Sequence, residues 1–288
     1  MAKQQVVRGK PQQEKSRQDK QSQKPSPSKA VATVNPGMPS AALQKKMAGG
    51  KGLSTEASDN LVPLITVLQP LSPQVLKKNE SYIEGAEPGQ IWLKNSEDPF
   101  YDSITFQPCF FEKYWMEWIP RTKGGGLVGR YDYDEMSETK GRPETAELFK
   151  DPERPRAIRW RMPSGNDLVE TRSYSGWVIM ENGNALPYSI PLASTGHTVG
   201  KDLMFRLNNR RLDTGEKPHM WSNKVTFRTK MRSNNAGEWY VLEIVNIAWI
   251  TDEAQYDAGA TLAAAFESGE KKAEMPVDDQ IPADDDSM

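Results

Sequence analysis

The chain has 288 residues, 36% of them hydrophobic, with 37 lysines and arginines against 39 aspartates and glutamates for a net charge of −2, one cysteine and two histidines. A lone cysteine excludes an internal disulfide framework and a multi-cysteine metal site, and two histidines exclude a histidine-rich one. No apolar run approaches the roughly 18 residues that a membrane-spanning helix requires, and the N-terminus lacks the apolar stretch of a secretory signal, so a cytoplasmic protein without membrane contact is expected.

The near-neutral total hides strong segmentation. Residues 1–51 carry eleven lysines and arginines against Glu14 and Asp19, about +9, whereas residues 267–288 carry eight acids against Lys271 and Lys272, about −6. Residues 1–55 are rich in Lys, Gln, Ser and Pro. They cannot bury enough apolar surface to offset the entropy of ordering, so a disordered basic tail is expected, either solubilising or contacting phosphates.

A β-rich domain is expected over residues 56–252. Its first segment, NLVPLITVLQPLSPQV (60–75), has short apolar runs broken by Pro63, Pro70 and Pro73, which forbid a long helix. YIEGAEPGQIWL (82–93) is turn chemistry leading into a strand. Strands follow in ITFQPCFFEKYWMEW (104–118), AIRWRM (157–162), LVETRSYSGWVIM (168–180), KVTFRTKMR (224–232) and EWYVLEIVNIAWI (238–250), which are rich in aromatic and β-branched residues. The last two read as a hairpin through residues 233–237. Residues 132–155 read as a charged excursion between strands. A helix is expected over 200–212, with Leu203, Met204 and Leu207 on one face, and another over 253–269, N-capped by Asp252 and ended by Gly269. Residues 270–288 form an acidic tail, also expected to be disordered. The fold class is mainly β, in the α+β sense, with one or two helices.

Catalytic motifs fail on inspection. GGGLVG (124–129) matches a dinucleotide-binding spacing, but RYDY follows it where a helix should begin, so a hairpin loop is the better reading. GGKGLST (49–55) resembles a phosphate-binding loop, but Gly52 stands where Ser or Thr should follow the lysine. Neither Cys109 nor any serine has a recognisable activating base in its sequence context, and His197 reads as a capping or surface residue. A protein that is not an enzyme and takes no cofactor or metal is expected.

Residues 200–232 hold nine lysines and arginines against three acids inside an otherwise acidic body. Strict alternation in KVTFRTKMR puts Lys224, Arg228, Lys230 and Arg232 on one face of a strand, which suits a phosphate backbone running over a sheet. Lys201, Arg206, Arg210 and Arg211 are expected beside them. Phe205, Trp221 and Tyr174 are candidate stacking platforms, because every base offers a π-face. A second mixture of cations and aromatics contains Arg159 and Arg161. The competing reading is that these cations simply form the solvated face of an antiparallel sheet.

Three stretches together resemble bacteriophage single-stranded-DNA-binding proteins. LVPLITVLQPLSPQV with YIEGAEPGQIW resembles a widespread group of phage proteins. PLASTGHTVGKDLMFRLNNRR followed by a basic and then an apolar strand is similar to phage single-strand binders, and the acidic C-terminus completes the set. The resemblance implies an elaborated OB-like antiparallel β-barrel that presents a sheet face and loops to oligonucleotides. It also implies sequence-independent binding of single-stranded DNA in phage replication or recombination. Partner proteins of those processes would be recruited through Asp278, Asp279, Asp284, Asp285 and Asp286, and self-association into a homo-oligomer stays open. The alternative is a phage structural or assembly protein whose charged tails contact other proteins.

Overall fold

In a computed structural model, the described residues are Leu43, 60–150, 158–234 and 237–275, and the side chains at 121, 150, 158, 159 and 234 lie outside the description. The chain divides into Met1–Leu53 and Ser54–Met288, and the fold is that of the second unit. The expectations of disorder for 1–55, Leu43 apart, and for 276–288 fall outside the described residues; residues 270–275 of the expected 270–288 tail are described and are tied down instead, Lys272–Ala273 pairing as a short strand with Leu61–Val62 and Glu274 with Lys94 at 2.9 Å.

The architecture is mostly β: a curled antiparallel half-barrel sheet and two helices. Two short strands, β1 (Leu61–Val62) and β2 (Ile65–Val67), precede β3 (Ile91–Leu93) and β4 (Phe100–Tyr101). The main sheet is built from β5 (Ser103–Trp118), β6 (Leu127–Asp132), β7 (Glu147–Lys150), β8 (Ile158–Arg161), β9 (Asp167–Ile179) and β10 (Ala185–Leu192). After helix α1 (His197–Asn209), strands β11 (Asn223–Asn234) and β12 (Gly237–Trp249) complete it, followed by helix α2 (Glu253–Glu267) and β13 (Lys272–Ala273). The order is β12-β11-β5-β9-β8-β7, with β6 on β5 and β10 on β9. Two smaller sheets, β2-β3-β4 and the parallel pair β1-β13, lie outside it.

β5 and β9 form the spine, paired from Thr105↔Ile179 to Trp118↔Asp167 with a bulge between Pro108 and Phe110. Each shares its far edge between two strands. β11 and then β6 lie along β5, while β8 and then β10 lie along β9. The spine stays tight at Gly176, where a Cβ would overlap the carbonyl oxygen of Gln107 and press on the Phe106 ring. The 200–212 helix begins three residues earlier than its periodicity suggests, because Gly200 sits inside it, buried against Arg172 and Leu192 where a side chain would crowd.

Period-2 alternation sorts the sheet residues onto two faces. The inner face carries the main core: Ile104, Phe106, Tyr174, Val178, Val225 and Phe227, closed by Leu203 and Leu207 of α1 and by Ile91 and Leu93 of β3. The outer face carries Cys109, Phe110 and Trp177, which pack on Leu262, Ala263 and Phe266 of α2. The bulge makes this possible: Cys109 and Phe110 join the outer cluster in succession, and Phe111 then returns inward to meet the Tyr174 ring in a tilted contact at 4.8 Å. Buried Gln107 ties the layers, since its Nε2 donates to the Trp221 carbonyl at 2.8 Å and its Oε1 accepts from Gln255 of α2 at 2.5 Å. α2 starts as expected, with Asp252 accepting from the Gln255 N–H at 2.7 Å, and it ends at Gly269 with φ +76°.

The long free edges are both guarded. Ser189 of β10 donates its N–H outward to Pro63 O at 2.9 Å, so Pro187 and Pro191, of the same parity, have no donor to offer on that edge. On β12, the Gln69 amide imitates a strand by bonding both the N–H and the C=O of Tyr240 at 2.9 Å, and Arg210 Nη1 donates to Ile247 O at 2.9 Å. Among the described residues no helix is long and apolar enough to cross a membrane.

His197, the first residue of α1, ties the helix to β9. Its Nε2 is 2.9 Å from Glu170 Oε1 and 3.1 Å from Arg172 Nε, and Arg172 also pairs with Glu170 at 3.0 Å. The His197 hydrogen bond, acting against burial and helped by Arg172, holds the Glu170 carboxyl down at about 2 from its ordinary 4.5. A depressed acid stabilises the fold above its unfolded pKa and loses that contribution as pH falls through the folded value. Glu170→Gln should therefore be less stable than wild type at pH 6, with the gap closing between pH 4.5 and pH 2 in denaturant titrations; a pH-independent gap would count against this ion pair. Gly176→Ala should cost about 3 kcal/mol through overpacking at the spine, read from the same titrations.

Candidate nucleic-acid interface

The outer face of the β11–β12 hairpin carries the cationic ladder read from the sequence. Asn223, Val225 and Phe227 are buried, so Lys224, Thr226, Arg228, Lys230 and Arg232 point to the other side. Cross-strand partners share a face, which places Ala248, Asn246, Glu243, Val241 and Trp239 beside them in that order. The result is an open sheet surface with four cations, one indole and one carboxylate. Glu243 takes two of the cations: Arg228 at 2.7 Å and Lys230 at 3.0 Å. Hydrogen bonds from Lys230 and then Arg228 lower the Glu243 pKa. Among the described residues, no ion pair involves Lys224 or Arg232.

α1 does not extend this ladder. Leu203 and Leu207 bury the helix on the inner face, so Lys201, Arg206, Arg210 and Arg211 stand on the opposite side of the sheet from Lys224, Arg228, Lys230 and Arg232. The expectation of one continuous basic patch is corrected accordingly. The alternation of a single strand does not say on which face a neighbouring helix will pack. Arg206 pairs with Asp202 one turn earlier at 2.9 Å, and Lys201 is exposed. Arg210 lies over the Trp249 ring at 3.7 Å, and Arg211 donates to the carbonyls of Asn208 and Arg210 at 2.7 Å.

The three aromatic candidates separate. Tyr174 is 0% exposed and donates its hydroxyl to Gly200 O at 2.8 Å, so it is a core residue rather than a platform; its position on the inner-face parity of β9 is the cause. Phe205 is 68% exposed on α1. Trp221 is half-buried, with His219 stacked on it at 4.5 Å and 9°.

Of the second mixture of cations and aromatics, Arg161 is taken up internally. Arg161 pairs with Asp167 at 2.8 Å and covers Phe149 at 3.8 Å, while the Arg159 side chain lies outside the described residues. Around it stands a set of contacts the sequence reading missed. Arg142, from the 133–146 excursion, covers Trp160 at 3.6 Å; Arg130 covers Tyr114 at 4.0 Å and pairs with Glu112 at 2.7 Å; Lys113 covers Tyr133 at 3.7 Å. Buried Glu117 accepts from Tyr131 at 2.5 Å and Asn166 at 2.7 Å. These groups satisfy one another and pin the excursion onto β5 and β8. The partner-tail residues Asp278, Asp279, Asp284, Asp285 and Asp286 lie outside the described residues.

No group of three His, Cys, Asp or Glu among the described residues is arranged to hold a metal. Gly124, Gly125 and Gly126 of GGGLVG close the β5–β6 hairpin loop, all at positive φ, and Leu127–Gly129 already belong to β6, so a strand stands where a phosphate-binding helix would begin.

A mostly β protein with a curled antiparallel half-barrel sheet and an open sheet face is the class that this fold defines. The chain belongs to the Pam3 phage gp34-like protein family, whose model matches residues 29–272. No curated protein and no solved structure matches the chain.

Cys109 is buried, its thiol directed at Gln107 O at 3.3 Å, and burial pushes it up to about 12. It should remain unmodified by thiol reagents at pH 8 in the native protein and react stoichiometrically once the chain is unfolded in guanidinium. Fast labelling of the native state would show that the α2 layer opens readily.

Proposed function

We propose that the protein is a non-enzymatic, sequence-independent single-stranded-DNA-binding protein acting in phage replication or recombination. One observation carries this reading: an open antiparallel face on which Lys224, Arg228, Lys230 and Arg232 line one strand with a single opposing carboxylate, Glu243. Phosphates spaced along a flexible strand can follow such a row, each neutralisation releasing counterions. Trp239 and Asn246 on the neighbouring strand add a π-face and an amide at the same level. Glu243 acts as a placeholder, holding Arg228 and Lys230 in position until phosphates replace it. A curled sheet in a phage protein fits this use. In this reading the acidic C-terminal residues recruit partner proteins.

Titration of the full chain with oligo-dT across salt should give a log–log slope of about −0.7 per phosphate contacted, with weaker binding to duplex of the same length. Lys230→Ala with Arg232→Ala should flatten the slope by about 1.4 if each cation neutralises one phosphate. Glu243→Gln should raise affinity at low salt by releasing two cations. Absence of binding to oligo-dT at low salt would defeat the proposal; co-purification with phage particles in that case would favour a structural or assembly role.

A further inference from the structure

We propose a second nucleotide site at the base of the β11–β12 hairpin, in the groove between the 210–222 loop, the C-terminal end of β12 and the first turns of α2. It would take one unstacked nucleotide: a base on the exposed face of His219 and a phosphate against Arg211 and Lys217. The ligand class rests on the single-strand reading above, but the groove is separate from the β11–β12 face.

The groove encloses about 690 Å³ and is lined by His219, Trp249, Tyr256, Arg211 and Lys217 together with loop residues. That volume lies within the range of small-molecule sites, about 300–1,000 Å³. Its aromatic wall is already assembled. His219 is parallel to Trp221 at 4.5 Å and exposed on the groove side, so a base added there would extend an existing stack. The Tyr256 hydroxyl is 2.8 Å from His219 Nδ1, which fixes the plane of the imidazole. Trp249 is held by the Arg210 guanidinium at 3.7 Å, itself anchored to Ile247 O. Such preorganisation lowers the ordering cost of binding.

The charges are disposed for a phosphate. Among the described residues neither Arg211 nor Lys217 is in an ion pair; Arg211 donates to backbone carbonyls and Lys217 to Asn208 Oδ1 at 2.7 Å. The groove's carboxylates are Asp213 and Glu216, and Glu216 is turned to the Thr214 hydroxyl at 3.1 Å. Both cations therefore keep their charge without a carboxylate partner, at the edge of a stackable ring. Base-on-aromatic stacking is worth about 1–3 kcal/mol per base, and a mononucleotide needs no continuous track.

Two measurements on the full chain separate this site from the sheet face. One is the affinity of wild type, His219→Ala and His219→Phe for a single-stranded 20-mer across salt. The other is saturation-transfer NMR with deoxycytidine monophosphate. His219→Ala should weaken strand binding by roughly 5- to 150-fold with an unchanged salt slope, and His219→Phe, which keeps a stacking face, should restore it. Arg211→Ala with Lys217→Ala should reduce the slope by about 1.4. Saturation transfer to the mononucleotide should vanish in His219→Ala. Strand binding that is tight and identical in wild type and His219→Ala would overturn the groove while sparing the sheet-face reading. Mononucleotide transfer that depends on His219, in a protein that fails to bind the 20-mer, would keep the groove and overturn the sheet-face reading. Failure of both signals would overturn both.

Discussion

The register of β5 against β9 is the constraint on which the rest of the structure depends. Thirteen residues of β5, with one bulge, face β9, and every other layer is positioned from that ladder. Sliding β9 by one residue against β5 would exchange its inner and outer faces and turn Tyr174 and Val178 toward α2. The bulge at Cys109 and the missing side chain at Gly176 together fix the register, because no other alignment puts a glycine against the Gln107 carbonyl. Gln107 then carries the constraint outward to the Trp221 carbonyl and to Gln255, so the positions of the 210–222 loop and of α2 follow from the spine.

From this arrangement the cations of residues 200–232 acquire two addresses. Those on β11 face outward beside Trp239; of those that follow α1, Arg210 covers Trp249, and Arg211 and Lys217 line the groove with His219 and Tyr256. An open sheet face with a row of cations suits a charge-neutralising track. A walled groove with fixed rings suits a single base. The difference is one of geometry rather than composition, since both regions draw on the same short stretch of sequence.

Much of the fold was legible. The alternation in KVTFRTKMR survives as the burial pattern of Asn223, Val225 and Phe227, the hairpin joins the two expected strands, and Asp252 caps α2 where the sequence placed the cap. β10 was not legible, because Pro187 and Pro191 read as strand breakers and are tolerated only on an edge whose partner lies on one side. Tyr174 was misread because alternation gives two faces without saying which one is buried. Glu243 was hidden by the β11–β12 register: the irregularity after Thr226 leaves Val245 unpaired and shifts the pairing, so simple counting from the turn does not carry along the hairpin. The His219–Tyr256 contact joins residues 37 apart through the turn into α2, and no local pattern encodes it.

The guarded edges have a consequence of their own. A half-barrel leaves unpaired backbone at its margins, and such margins ordinarily invite strands from neighbouring molecules. Here one margin is blunted by Pro187 and Pro191, and the other is occupied at Tyr240 by a glutamine amide and at Ile247 by an arginine. On these two margins an incoming strand would first have to displace groups of the chain itself: the 63–64 backbone from β10, and the Gln69 amide and the Arg210 guanidinium from β12.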